Sequence, residues 1–202
     1  MLKQYKYDKL LGIRTGASRF VQLPVSCHNN PYEATSYETL ETLLAHYPVT
    51  ENDYVVDFGC GKGRINFYLH HFTGASVKGV EMEDDLLEDA VANLEGYQLK
   101  HPDRLGGIEF LNCPAQEYPV APQDNRFYFF NPFSVKIFQK VVDNILKSVE
   151  EHPRSVDLLI YYPHAEYIYY LEKNTAFELV QEITIDIFYK NDSDDRILIY
   201  RI

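Results

Sequence analysis

Three glycines stand within five residues at Gly59-Cys60-Gly61-Lys62-Gly63, between an apolar run ending in Asp57-Phe58 and an amphipathic run starting at Ile65. Without a Cβ, glycine lets backbone approach a ligand closely and visit positive φ, so the loop suits tight contact. A helix starting directly after it would offer unpaired N–H groups that favour a carboxylate, a phosphate or another strongly accepting group. Eighteen residues beyond Gly63, a second apolar run closes at Glu81. A carboxylate there can accept both hydroxyls of a ribose. A tight strand-to-helix turn alone would not require Glu81, so loop and acid together describe a ligand with an accepting end and a ribose. A dinucleotide fingerprint, GxGxxG, would place its third glycine where this chain has Arg64. A P-loop is excluded, because no Gly-Lys-[Ser/Thr] follows at the required spacing.

These residues need a strand before the loop and a helix after it, and the pattern supplies both. Tyr54–Asp57 reads as a strand, and Ile65, Tyr68, Leu69 and Phe72 form one helical face that Gly74 ends. Ser76–Glu81 is a second strand, followed by a helix through Leu86, Leu87, Ala90, Val91 and Leu94 with Gly96 just past its end. Strands at Ile108–Leu111, Arg126–Phe130 and Val156–Tyr162 follow, with an amphipathic helix from Val135 to Val149 and a short helix around Ala165–Lys173. Two closing strand-like runs, Val180–Tyr189 and Arg196–Ile202, flank a turn-rich segment. Before all of these, Thr35-Ser36-Tyr37-Glu38 has the form of a capping box, which predicts a helix from Ser36 to about His46. Residues 1 to about 30 carry turn formers and weak periodicity and read as an irregular arm. Strand–helix alternation implies a mostly parallel sheet covered on both faces, with ligands bound beyond the carboxyl ends of the strands.

Composition narrows the partners. The 202 residues suit one domain with a real core, with 46% hydrophobic and 24% charged residues. A formal net charge of -11 works against nucleic acid and anionic membrane. The N-terminus lacks the apolar core of a signal peptide, and no apolar run approaches a membrane span. Cys27, Cys60 and Cys113 are widely spaced and form no CxxC, which fits reduced thiols. The expectation is a soluble cytoplasmic monomer or small homo-oligomer. No His/Cys spacing suits zinc, so no metal is expected.

Asp57-Phe58-Gly59-Cys60-Gly61-Lys62-Gly63 resembles the first motif of class I S-adenosylmethionine-dependent methyltransferases, and Glu81 matches their acidic second-strand end. The resemblance covers roughly residues 32–202, so it implies an N-terminal arm over 1–31 and one methyltransferase-like domain. The implied fold is a Rossmann-like, doubly wound, mostly parallel seven-stranded sheet with an antiparallel C-terminal hairpin, in three α/β/α layers. Carried over, Asp57, Gly59, Cys60, Gly61 and Gly63 line the cofactor, Glu81 holds its ribose, and Met82 packs on adenine. Asn112 and Ala115 stand at the third-strand end, where adenine is received. There the chain departs from the pattern: Pro114 takes the slot of a common Asp and has neither a side-chain acceptor nor an N–H. Adenine contacts then fall to backbone, Asn112 or Gln116.

Phe129-Phe130-Asn131-Pro132-Phe133-Ser134 resembles, without the second proline, the [DN]PP[YF] motif of methyltransferases acting on amino or amide nitrogens. By that resemblance Asn131 touches cofactor and acceptor, and Asn131, Pro132 and Phe133 are the catalytic residues. Asn131-Pro132-Phe133 could equally end a strand while Ser134 caps the next helix. Tyr32 and Thr35 lie in a segment similar to the one preceding the domain of non-SET protein-lysine methyltransferases, where Tyr and Thr lie near the methionine moiety; the segment could equally be a capped helix packing on the sheet. Tyr161-Tyr162-Pro163-His164, with Tyr167, Tyr169 and Tyr170, could wall an acceptor pocket or simply pack. Methyl transfer to nitrogen needs positioning more than covalent chemistry, so the absence of a Ser-His-Asp constellation is expected. The resulting expectation is S-adenosylmethionine-dependent N-methylation of a protein side chain or small amine, with S-adenosylhomocysteine as product. Two other readings are a catalytically silent, methyltransferase-like binding or scaffold protein and a dinucleotide oxidoreductase.

Overall fold

The computed structural model describes residues 2–16, 32–104, 106–185 and 192–202. Helices α1 (Leu2–Leu11) and α2 (Tyr37–His46) precede strand β1 (Tyr54–Phe58). The chain then alternates through α3 (Arg64–Thr73), β2 (Ser76–Glu81), α4 (Asp84–Lys100) and β3 (Ile108–Asn112). A 3-10 turn at Ala115–Glu117 leads to β4 (Arg126–Phe130), α5 (Val135–Glu151), β5 (Asp157–Tyr161), α6 (Ala165–Asn174), β6 (Glu178–Thr184) and β7 (Arg196–Arg201). The seven strands lie in the order β3-β2-β1-β4-β5-β7-β6. The first five are parallel, and β7 runs antiparallel to both β5 and β6. The sheet is therefore the expected mixed one with an antiparallel closing hairpin.

Strand pleating sends alternate residues to two cores. Val55 and Tyr128 face a core with Leu40, Phe67 and Tyr97, whereas Val56, Phe127 and Phe129 face one with Phe138, Val142 and Leu171. Strand order reverses between β1 and β4, so the loops leaving them diverge and open a crevice at their carboxyl ends. At the opposite end a polar clamp ties the strand starts together. Asp157, fully buried at the head of β5, receives Arg201 Nε at 2.6 Å and Nη2 at 2.7 Å and the Tyr47 hydroxyl. Arg126, at the head of β4, reaches Asp53 at 3.1 Å and Asp157 at 3.8 Å.

Three local expectations need correction. Residues 2–11 form a helix rather than an irregular arm. Its packing rests on few apolar contacts: Tyr7 stacks on Tyr37, and Leu11 and Ile13 are buried beyond it. Helix α4 continues through Gly96 to Lys100, and the missing Cβ at Gly96 instead lets the Gly12 carbonyl come within 2.4 Å of where that atom would stand. The N-cap of α2 is Ser36, which accepts from Thr39 N at 3.0 Å, so Thr35 is free for another task. Residues 17–31, with Cys27, and 186–191, the end of the expected Val180–Tyr189 strand, lie outside the described residues.

Candidate functional site

The loop after β1 is folded by its own backbone. Gly59 N and Cys60 N both donate to Val80 O, at 2.9 and 3.2 Å, which locks the loop to the end of β2. Gly59, Gly61 and Gly63 all have positive φ, at 76°, 52° and 81°. Close approach is strictest at Gly61, where an added Cβ would stand 2.2 Å from the Tyr32 ring. At Gly59 it would stand 2.8 Å from Pro132 Cβ, so the loop and the β4 end touch through this glycine.

Glu81 is the hub of the loop. One carboxylate oxygen accepts from Gly61 N at 2.9 Å, and the other from Met82 N at 2.9 Å and Glu83 N at 3.0 Å. Burial raises its pKa against the pull of these three N–H groups, and it is 7% exposed. A carboxylate has about four acceptor positions, so roughly one remains for a ligand. Asp57 is buried beside it, and its pKa is pushed up to about 8 by burial and by the Glu81 charge. With its amide turned to satisfy both neighbours, Asn66 donates to Asp57 at 3.1 Å and accepts from Gly79 N at 3.0 Å.

These groups border one cleft with about 1150 Å³ of empty space, its open mouth included. Asp57, Gly59, Cys60, Glu81 and Met82 line it at the ends of β1 and β2, with Cys113, Ala115 and Gln116 beyond the end of β3. Asn131, Pro132 and Phe133 line it at the end of β4, and Tyr32 and Thr35 form a further wall. Of the expected site residues, Gly61, Gly63 and Asn112 are not brought to the cleft surface. Gly61 packs under Tyr32, Gly63 packs against Phe110, and Asn112 is exposed and donates to Asp84. Pro114 is also absent from the lining; it caps the 3-10 turn that carries Ala115 and Gln116 inward. Cys60 is buried, and burial with the nearby Asp57 and Glu81 charges drives its thiol pKa well up, so it is an unreactive thiol.

The β4 end is held in a set conformation. Asn131 has φ 40°, a left-handed value that asparagine tolerates better than most residues. The Phe133 carbonyl accepts from the Tyr167 hydroxyl, and Tyr167 in turn stacks on Phe138 with ring centroids 3.8 Å apart. Tyr167 is thus a support for Phe133. Neither Tyr167 nor the other aromatics at and beyond the end of β5 line the cleft: Tyr161 and Tyr162 bond Asp195 and Asp192, and Tyr170 bonds Asp143. His164 caps α6 and accepts weakly from Glu166 N at 3.4 Å. Ser134 occupies the N-cap position of α5, yet its side chain makes no capping bond.

Two cleft residues escaped the motif reading. Tyr128, in the middle of β4, is fully buried and pairs its hydroxyl with Thr35 Oγ1 at 3.1 Å. Arg64, first residue of α3, is buried at 5% exposure. Its place directly after the glycine loop was the available signal. Among the described residues no group of three or more His, Cys, Asp or Glu could hold a metal ion. No helix among them is long and apolar enough to cross a membrane.

No protein-family model matches the chain. A trans-aconitate 2-methyltransferase from Rhizobium rhizogenes is 28% identical over 109 residues, which is 51% of this chain and 38% of that protein. A protein-lysine N-methyltransferase from Saccharolobus islandicus is 35% identical over 66 residues, 32% of this chain and 41% of that protein. The matches thus span well under two thirds of either relative. Among solved structures, an RNA methyltransferase from Salinibacter ruber in complex with S-adenosyl-L-homocysteine superposes with a TM-score of 0.57 at 16% identity. That superposition covers 84% of this chain and 92% of the other.

Proposed function

We propose that this chain, whose fold is that of the class I S-adenosylmethionine-dependent methyltransferases, binds S-adenosylmethionine at its glycine loop and methylates a nitrogen of a protein side chain or small amine. The observation that carries this reading is the shared cleft: a glycine loop pinned by the buried Glu81 carboxylate faces Asn131-Pro132-Phe133 across a contact between Gly59 and Pro132.

The residues present suit that cofactor. Glu81 keeps an acceptor position for ribose hydroxyls, and Asp57 would receive the cationic amino-acid end. Met82, Leu86, Ala115 and Gln116 offer a mostly apolar seat with one amide for adenine. Pro114 does not intrude on that seat. Bound there, the cofactor supplies an electrophilic methyl group on a sulfonium centre. The protein's part is to hold the acceptor nitrogen in line with it, which can supply much of the barrier reduction. Asn131 accepts the nitrogen's hydrogens through its amide oxygen, and Phe133 packs against the group that carries the nitrogen. Glu33, Glu81 and Glu83 outnumber Arg64 around the cleft, which attracts a basic acceptor, and the overall charge of -11 disfavours nucleic acid. An ammonium has no lone pair, so the acceptor reacts as the free amine, after giving a proton to solvent.

Incubation with methyl-tritiated S-adenosylmethionine and a lysate of the source organism should label a protein or small-amine fraction. Asn131→Ala should lower that labelling at least about tenfold, as loss of one well-placed hydrogen bond would, while S-adenosylhomocysteine still binds. Label running with nucleic acid, or labelling unchanged by Asn131→Ala, contradicts the acceptor reading.

The pH dependence of cofactor binding has a definite sign. With its pKa raised to about 8, Asp57 is protonated in the free protein at neutral pH. A cation bound beside it favours the ionised form, so binding below pH 8 releases a proton. Affinity should then rise with pH up to about 8, by at most about tenfold per unit, and level off above. Calorimetry in buffers of different ionisation enthalpy measures the proton release, and Asp57→Asn should abolish it. Affinity falling with pH over this range would refute the assignment.

A further inference from the structure

Arg64 is a costly residue for its place. It stands at the first position of α3, where the helix dipole disfavours a cation, and it is buried. Among the described residues no carboxylate lies in ion-pair range of its guanidinium. A buried charge left without compensation is expensive, so its bonds indicate what it is for.

Among the described residues, those bonds all go to the chain ahead of α2. Arg64 Nε donates to Thr15 Oγ1 at 2.7 Å and Nη2 to Thr15 O at 3.1 Å, while Nη1 donates to Thr35 O at 2.9 Å and Ala34 O at 3.4 Å. The guanidinium also lies over the Tyr37 ring at 4.8 Å. Thr15 is held in turn by Asp8 of α1, which accepts from its N at 3.0 Å and its hydroxyl at 2.8 Å and from the Tyr37 hydroxyl at 2.5 Å. The balancing carboxylate is thus one hydroxyl removed from the guanidinium. On the cleft side, Thr15 O also accepts from the Tyr32 hydroxyl at 3.0 Å, and Thr35 Oγ1 pairs with Tyr128. One network therefore runs from α1 through Arg64 to the wall formed by Tyr32 and Thr35, and ends on β4.

From this connectivity we infer that Arg64 is the positioning residue of the cofactor site, and that α1, acting through Asp8, is a working part of that site. Arg64 fixes the Tyr32–Thr35 wall against the glycine loop, and Asp8 fixes Arg64. The inference rests on the cofactor reading above for its ligand, though not for its geometry.

The test compares Arg64→Met, Arg64→Lys, Asp8→Asn and the double variant Asp8→Asn/Arg64→Met with wild type. Two quantities are read: S-adenosylhomocysteine affinity by calorimetry, and ligand-free amide exchange at residues 32–36. Arg64→Met and Asp8→Asn should each lower affinity about tenfold, the loss of one charge-assisted bond. The double variant should be little worse than Arg64→Met alone, since both act through one network. Arg64→Lys should not restore affinity, because one ammonium does not span Thr15 and Thr35. Exchange at 32–36 should quicken in the same variants while α5 stays protected. Glu41→Gln, which loosens α1 at its Lys3 and Tyr7 anchors instead, should lower the melting temperature and leave affinity unchanged. Should Arg64→Met not fold, the near-isosteric Asp8→Asn carries the test. Unchanged exchange at 32–36 overturns the inference whether or not cofactor binds, as does an equal affinity loss in Glu41→Gln. Absence of binding by wild type overturns the cofactor reading alone.

Discussion

Glu81→Ala should lower S-adenosylhomocysteine affinity about a hundredfold and destabilise the fold by roughly 2 kcal/mol. Two separate losses combine. The ligand loses a charged acceptor for its ribose hydroxyls, and bonds to charged groups are worth about 1.5–3 kcal/mol each. The protein loses the acceptor shared by Gly61 N, Met82 N and Glu83 N, which leaves three donors beside a buried gap. In a chain of this size that destabilisation corresponds to a fall of about 6 °C in melting temperature. Glu81→Gln separates the two losses. Its amide oxygen can still serve Met82 and Glu83, but its NH2 group would face the Gly61 N–H, donor against donor. Affinity should therefore stay low while much of the stability returns. Calorimetry for affinity and scanning calorimetry for stability check both effects, and wild-type affinity in Glu81→Ala would rule out its role.

The second large effect belongs at the far end of the sheet. Asp157→Ala should cost about 3 kcal/mol and lower the melting temperature by about 10 °C, because it removes the charged acceptor of both Arg201 bonds and of the buried Tyr47 hydroxyl and leaves Arg126 with Asp53 alone. Burial alone would raise the Asp157 pKa, but the bonds from Arg201 and Tyr47 outweigh it and hold the carboxyl below the ordinary aspartate range. A depressed carboxylate pKa contributes stability that is present above the unfolded-state value and lost as pH falls through the folded one. The gap between variant and wild type, measured by urea unfolding, should therefore be full at neutral pH and narrow below about pH 4. Because Asp157 lies opposite the cleft, the folded variant should bind S-adenosylhomocysteine normally at low temperature. Loss of binding in protein shown to be folded would mean that the two ends of the sheet are coupled.

These two residues mark what the sequence disclosed and what it hid. Glu81 was legible because it ends a β-branched strand at a fixed distance from a glycine loop, and both features are local. The sheet was legible for the same reason: strands such as Ser76–Glu81 and Arg126–Phe130 fall where the apolar runs place them. Asp157, Arg64 and Asp8 were hidden because their partners are distant in sequence; Arg64 meets Thr15 and Thr35, and Asp157 meets Tyr47 and Arg201. Helix α1 was obscured by its composition, since LKQYKYDKLL has no continuous apolar face and packs through Tyr7 and its last residue. At Asn112 adjacency to a strand end did not fix direction: its side chain turns to Asp84, while Ala115 and Gln116, carried by the turn, reach the cleft.

Whether the cleft is a cofactor site is measured directly by a calorimetric titration of the wild-type chain with S-adenosylhomocysteine. One saturable site is predicted, about a hundredfold weaker in Glu81→Ala and releasing a proton near neutral pH through Asp57. A folded wild-type protein that gives no binding heat, with no ligand-induced rise in melting temperature, would show that the cleft does not take this cofactor.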